Sequence, residues 1–181
     1  MSETIITIIL FFHVSFAAVW IGGQVLTAQA VIPSIRKIDE DLVRLATIER
    51  FTRKFNHIAW GSVVVIIITG GILMGTRIDD ANAIAGGGSI YDLRWGFIFA
   101  AKMSIFLLML GVVGLHTFVL GPRLIDLNRR ALNDHTAANS SAIISIRRKS
   151  IATSGIGLLL SLLVLCAGVF LANHNYSFAA A

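Results

Sequence analysis

FFHVSFAAVWIGGQVL, residues 11–26, is the stretch from which the fold is read. It forms the middle of an apolar run, Ile5–Ile32, long enough to cross a bilayer, which takes roughly 20 residues of helix. Three further runs qualify: His57–Thr76, Leu93–Leu120 and Ile151–Asn173. Between them the composition turns to charge. With 56% hydrophobic residues and a mean hydropathy of +0.80, the chain is far from a soluble domain. The expected fold is all-α, an integral membrane four-helix bundle forming one transmembrane domain over residues 1–181. The segments 33–56 and 121–150 are its two loops on one side.

The basic residues give an expected orientation. The first connecting segment carries Arg36, Lys37, Arg44, Arg50, Arg53 and Lys54, and the third carries Arg123, Arg129, Arg130, Arg147, Arg148 and Lys149. Basic loops stay in the cytoplasm, so both termini and the loop with Asp79, Asp80 and Gly86–Gly88 are expected outside. A pI near 10.0 is then a topology signal rather than a nucleic-acid footprint, and the basic loops sit where anionic lipid would meet them. Only Glu3 precedes the first run, with no basic stretch, so the run is expected to be retained and not cleaved as a signal peptide. The expected location is a bacterial-type inner (plasma) membrane, crossed several times.

Both basic segments look partly helical. Leu42, Leu45, Ile48 and Phe55 recur near helical spacing with charge between them, and this stretch either lies on the membrane surface or extends the second span. Pro122 after Gly121 is expected to end the third span. We see no tandem repeat. Cys166 is alone, without CxxC or CxxCH, which excludes an intrachain disulfide, a thiolate cluster and covalent haem attachment.

Ionisable residues in hydrocarbon are costly and mark function. His13 lies roughly 12 Å below the edge of its run and Lys102 roughly 13 Å, at 1.5 Å per residue, which makes them level-mates on different helices. His116 and His57 form an expected second pair near the basic side. Lys102, Ile105, Met109, Val112 or Val113, and His116 share one face of the third helix. His13, Ala17, Trp20, Gln24 and Thr27 share one face of the first. On the second, His57, Gly61, Val64, Ile68, Gly71 and Gly75 form a stripe whose glycines would let a helix or a flat cofactor approach. Trp95 and Trp60 fit interfacial anchors. His174 fits the outer interface, and His135 a solvated loop.

Imidazole is the usual axial ligand of membrane b-type haem. One or two haems would use His13 with Lys102 and His57 with His116, with Trp20 packing the porphyrin and Arg77 and Arg94 near its propionates. Copper(I) is the alternative, with Met74, Met103, Met109 and Cys166 as soft ligands beside the histidines.

Several short motifs carry a family resemblance: His13 followed by Trp20-Ile21-Gly22-Gly23, Thr69-Gly70 late in the second run, Lys102 early in the third, and Arg123 after it. Together they resemble the CopD-type copper resistance membrane domain, which is similar to the HemJ-type protoporphyrinogen oxidases. The resemblance implies a membrane helix bundle and one of two activities. One is copper uptake across the inner membrane. The other is oxidation of protoporphyrinogen with b haem on the first-helix histidine and the third-helix lysine also needed; His13 and Lys102 stand at those positions. The combined expectation is a b-haem protein in electron transfer or membrane redox chemistry, an oxidoreductase if an enzyme. Its partners would be the lipid bilayer and a quinone or other redox partner. Copper transport is the alternative, and an accessory subunit of a larger membrane complex or homo-oligomer a third reading.

Overall fold

The computed structural model describes residues 1–134 and 141–180; His135 and its polar turn lie outside the described residues. Helix α1 (Glu3–Leu26) runs on through a π-helical turn (Thr27–Val31) into α2 (Ile32–Ile35). Helix α3 (Asp41–Ala85) is one unbroken rod of 45 residues. A 3-10 turn (Ile90–Asp92) leads to α4 (Arg94–Leu115), a second π turn (His116–Leu120) and α5 (Gly121–Asp134). Helix α6 (Ser141–Ala172) returns, and the single turn α7 (His174–Ser177) follows. Four segments are long and apolar enough to span a membrane, as the four runs predict, and among the described residues there is no strand.

The helices outrun the apolar stretches. Segment 33–56 is largely the first turns of α3, and the described part of 121–150 is α5 and the start of α6. Outside hydrocarbon these turns are held by side chains: Arg44 pairs with Asp41 and Arg130 with Asp126 along their helices, and Glu49 of α3 meets Arg129 of α5 at 2.7 Å. Pro122 does not end its helix. A proline lacks the N–H and crowds the carbonyl four residues back. The π turn absorbs this one residue upstream, where Gly121 N–H donates to His116 O, five back. The first span repeats the device: Ile32 N–H donates to Thr27 O just before Pro33.

Helices α1 and α3 pack as one hairpin, α4 and α6 as another, and α1 touches α6 to close the bundle. Both chain ends and the 86–93 connection lie at one end, the terminal end. Residues 36–40, α2 and α5 lie at the other, the basic end. The central core is Trp20, Ala59, Val63, Met109 and Leu160. Most large apolar side chains, such as Phe11, Leu107 and Val169, point outward, as a lipid-facing surface requires.

Two expectations about faces are corrected. The glycine stripe of α3 faces outward: His57, Gly61, Val64, Ile68, Gly71 and Gly75 are all exposed, and the three glycines do not form a packed seam, with nothing within 4 Å of a Cβ at Gly61, Gly71 or Gly75. The inward face carries Ala59, Ser62, Val63 and, half-buried, Thr69. Trp95 is not a lipid anchor. It is only 2% exposed, stacked between Phe99 and Phe178 with centroids 5.1 and 6.4 Å away.

That stack belongs to a cap over the terminal end. Residues 173–180 fold back so that Arg94 N–H donates to Ala179 O and Arg94 Nε to Ala180 O. Arg94 also lies over the Tyr176 ring. Arg77 donates to His174 Nδ1 at 3.2 Å.

Candidate functional site: three polar layers in the bundle

The polar side chains inside the bundle fall into layers. Along α4 and into its π turn, Lys102, Met109 and His116 stand seven residues apart, and along α1 and its π turn so do His13, Trp20 and Thr27. Seven residues are two turns, about 10.5 Å of rise, and return to the same face. Helix α6 supplies Gly168, Ser161 and Thr153, and α3 supplies Thr69 and Ser62. The layers are therefore His13, Thr69, Lys102 and Gly168 toward the terminal end; Trp20, Ser62, Met109 and Ser161 in the middle; and Thr27, His116 and Thr153 toward the basic end.

In the first layer, the His13 ring bonds Thr69 through Nδ1 and Oγ1 at 3.0 Å. Lys102 stands in the same layer, on α4. Its Nζ lies 3.6 Å from where a Cβ on Gly168 would stand. Among the described residues no carboxylate pairs with Lys102.

In the middle layer the Ser161 hydroxyl is a hub. Trp20 Nε1 and Gln24 Nε2 both donate to it at 3.1 Å. Its own proton faces Gly157 O at 2.9 Å and Met109 Sδ at 3.2 Å. Met109 is 3% exposed, which holds its thioether in the bundle rather than against lipid.

In the third layer, His116 Nδ1 meets Thr153 Oγ1 at 3.2 Å. The Thr27 hydroxyl is buried without a hydrogen-bond partner among the described residues. The structure does not pair His116 with His57. His57 is exposed and bonds the Arg53 carbonyl of its own helix at 2.7 Å.

Of the residues expected from sequence, then, His13, Lys102, Trp20 and His116 line the interior and His57 does not. Ser161, Thr153 and Ser62 went unnoticed in the sequence. Serine and threonine satisfy themselves on a carbonyl one turn back, so nothing in a hydropathy pattern singles them out.

The residues present do not fit a porphyrin. The place where Trp20 was expected to flank a ring is filled by Ala59, Val63, Met109 and Leu160 packed on Trp20 itself. The Cε1 edge of His13 lies against the α3 backbone, 3.0 Å from a Cβ position on Gly70. Arg77 and Arg94, proposed for propionates, are engaged by the cap. Two open clefts of about 430 and 380 Å³ lie at the basic end, lined by residues such as Arg50 and Phe55 or Ser145 and Arg148, and neither is lined by His13 or His116. Among the described residues no three His, Cys, Asp or Glu side chains gather into a closed metal site. What the interior offers is a file of single soft or nitrogen donors.

Adjacent glycines on α3 test how tightly the first layer is built. Gly70→Ala puts a methyl against the His13 ring, whereas Gly71 has nothing within 4 Å. Gly70→Ala is expected to push the ring from Thr69 and destabilise by about 1–2 kcal/mol, as overpacking does. Gly71→Ala should stay within about 0.5 kcal/mol of the parent. Thermal unfolding of the detergent-solubilised variants checks this, and equal melting shifts would contradict it.

No curated protein and no solved structure matches the chain. A family model does. It is described as copper resistance protein D and matches residues 49–171, which include Lys102, Met109, His116, Thr153 and Ser161 but not His13 or Trp20. That match spans more than half of the 181 residues, and with four membrane-spanning helices around a polar file, the chain belongs to the copper resistance protein D (CopD) family.

Proposed function

We propose that this protein moves copper(I) through its helix bundle, with His13, Met109 and His116 as successive points of contact. The observation that carries this reading is the layering: imidazole, thioether and imidazole sit one above another at two-turn intervals on the inward faces of α1 and α4. Copper(I) prefers these soft and borderline donors. A bare cation in hydrocarbon is costly, so passage needs donors that replace its water at short intervals. Separate low-coordinate contacts also release the ion, where a closed site of three or four ligands would trap it. In this reading Lys102 sets a positive charge beside the first contact, which keeps that layer from retaining a cation. The copper family membership supports the cargo, and the resemblance to haem oxidases finds no slot in the packing.

Vesicles containing the purified protein and a trapped copper(I) indicator provide the test. His13→Ala, Met109→Leu and His116→Ala should each slow copper entry about 10-fold or more, since losing even an outer-shell partner of a metal ligand costs about 10–100-fold. His57→Ala on the outer face should match the parent. No entry above protein-free vesicles, a full-strength His116→Ala, or a purified protein with a Soret band would overturn the proposal.

A further inference from the structure

The two half-buried histidines inside the bundle are held in the same way, one in each hairpin. His13 on α1 bonds Thr69 on its return helix α3. His116, opening the π turn after α4, bonds Thr153 on its return helix α6. In each pair the contact atom is Nδ1. In each pair the threonine is already committed: Thr69 Oγ1 lies 2.6 Å from Val65 O and Thr153 Oγ1 2.9 Å from Lys149 O. A carbonyl only accepts, so the single hydroxyl proton of each threonine points to its own helix. The threonine oxygen can then only accept from the imidazole. A second carbonyl of the same helix, three residues before each threonine, reinforces this: Ile66 O lies 3.4 Å from Thr69 Oγ1 and Ser150 O 3.1 Å from Thr153 Oγ1. In a neutral ring with Nδ1 protonated, the other nitrogen carries the lone pair.

We propose that Thr69 and Thr153 are positioning residues that preset His13 and His116 in the Nδ1–H tautomer, so that each ring presents Nε2 as its ligand atom to a soft cation. Metal-binding histidines gain orientation and basicity from such a partner on the opposite nitrogen. Here the partner is a neutral hydroxyl anchored to a helix. It fixes the ring without adding the negative charge that would hold copper(I) in place. The other two described histidines lack this arrangement. His174 Nδ1 faces the Arg77 guanidinium, which can only donate, so that nitrogen is an acceptor. His57 donates from Nδ1 to a carbonyl but stands on the exposed face.

The inference rests on the copper reading for its purpose but not for its test. Nitrogen-15 NMR of histidine-labelled protein in bilayers, without copper, reports the tautomer of each ring. The parent should show Nδ1–H with a free Nε2 at His13 and His116. Thr69→Val and Thr153→Val keep the side-chain shape and remove the acceptor. Each should shift its own histidine toward the Nε2–H form and leave the other unchanged, while Thr69→Ser and Thr153→Ser restore the parent spectrum. Copper(I) titration against a competing chelator should then show affinity falling about 10-fold or more in the valine variants and remaining near the parent in the serine ones. Nε2–H rings in the parent, or valine variants with unchanged tautomers, would overturn the inference. Expected tautomers in a protein that binds no copper(I) would leave the assignment standing and overturn the copper reading instead.

Discussion

Ser161→Ala will destabilise the protein by about 2–4 kcal/mol, because it removes the acceptor for two donors inside the bundle at once, and an orphaned buried donor costs about 1–3 kcal/mol. Trp20 is 5% exposed and its indole N–H has no other hydrogen-bond partner. No water reaches the middle of a bilayer to replace the serine. Gln24 has more freedom to turn, which is why the expected loss is below twice the single cost. Ser62 is the control. It is as buried as Ser161, at 1% against 2% exposed, yet its hydroxyl bonds only Ile58 O of its own helix. Ser62→Ala leaves that carbonyl in the helical ladder and should cost under about 1 kcal/mol. Two serines of equal burial thus separate hydrogen bonding between helices from burial alone. Unfolding in mixed detergent micelles measures both, and similar losses would contradict the hub. A further check is Trp20→Phe, whose cost should shrink in the Ser161→Ala background, since the two residues share one interaction.

The contrast shows what the sequence can express. The spans were legible because hydrocarbon demands long apolar runs between charges. Their ends were not, because α3 and α5 continue past the apolar stretch on ordinary helical spacing and ion pairs, as Leu42, Leu45 and Glu49 illustrate. The inward face of α1 and of α4 was readable from His13, Trp20, Gln24, Lys102 and His116, since polar groups avoid lipid. The inward face of α3 was not. Lipid is as apolar as the core, so helix faces differ little in hydropathy, and its glycines at 61, 71 and 75 drew attention to the wrong side. The true markers were Ser62 and Thr69, two residues that look ordinary because each satisfies its hydroxyl on its own backbone. His57 misled in the same way: an imidazole near a membrane boundary is at ease with Arg53 O and lipid headgroups, and needs no partner across the bundle.

The π turns were also hidden. Each sits one turn before a proline, and a proline in a sequence reads as a stop. In the bundle it is a widening: Thr27 and His116 open the two π turns, at corresponding points of the two hairpins, six residues before Pro33 and Pro122. Such turns occur often at functional sites. Here they place the unpartnered Thr27 hydroxyl and the Thr153-bound His116 in the same layer, where the helices leave regular geometry.

At the terminal end, Gly96→Ala is expected to be the most damaging single-methyl addition. A Cβ there would stand 2.5 Å from Ile90 O, 2.9 Å from Ile90 C and 3.1 Å from Tyr91 Cα. These are backbone atoms and cannot swing aside as a side chain does. They are also fixed from the other direction. Ser89 and Asp92 cap the 3-10 turn reciprocally, and Leu93 bridges Ala180, with Arg94 N–H donating to Ala179 O. To admit the methyl, the turn must move outward and take with it the stack of Phe99, Trp95 and Phe178. Overpacking of this kind costs about 1–3 kcal/mol, and backbone contact puts this case at the upper end. Helix propensity works the other way: alanine gains up to about 1 kcal/mol over glycine in a helix interior. At the third residue of α4 the strain outweighs it. Gly111→Ala, on the exposed side of the same helix with nothing within 4 Å, feels only the propensity and should be neutral or slightly stabilising. Melting temperatures of the two variants should therefore move in opposite directions. Hydrogen exchange should locate the Gly96→Ala damage at residues 89–95 and 173–180, with the three polar layers still protected. If exchange instead rises first around Ser161, the cap and the bundle core unfold as one unit.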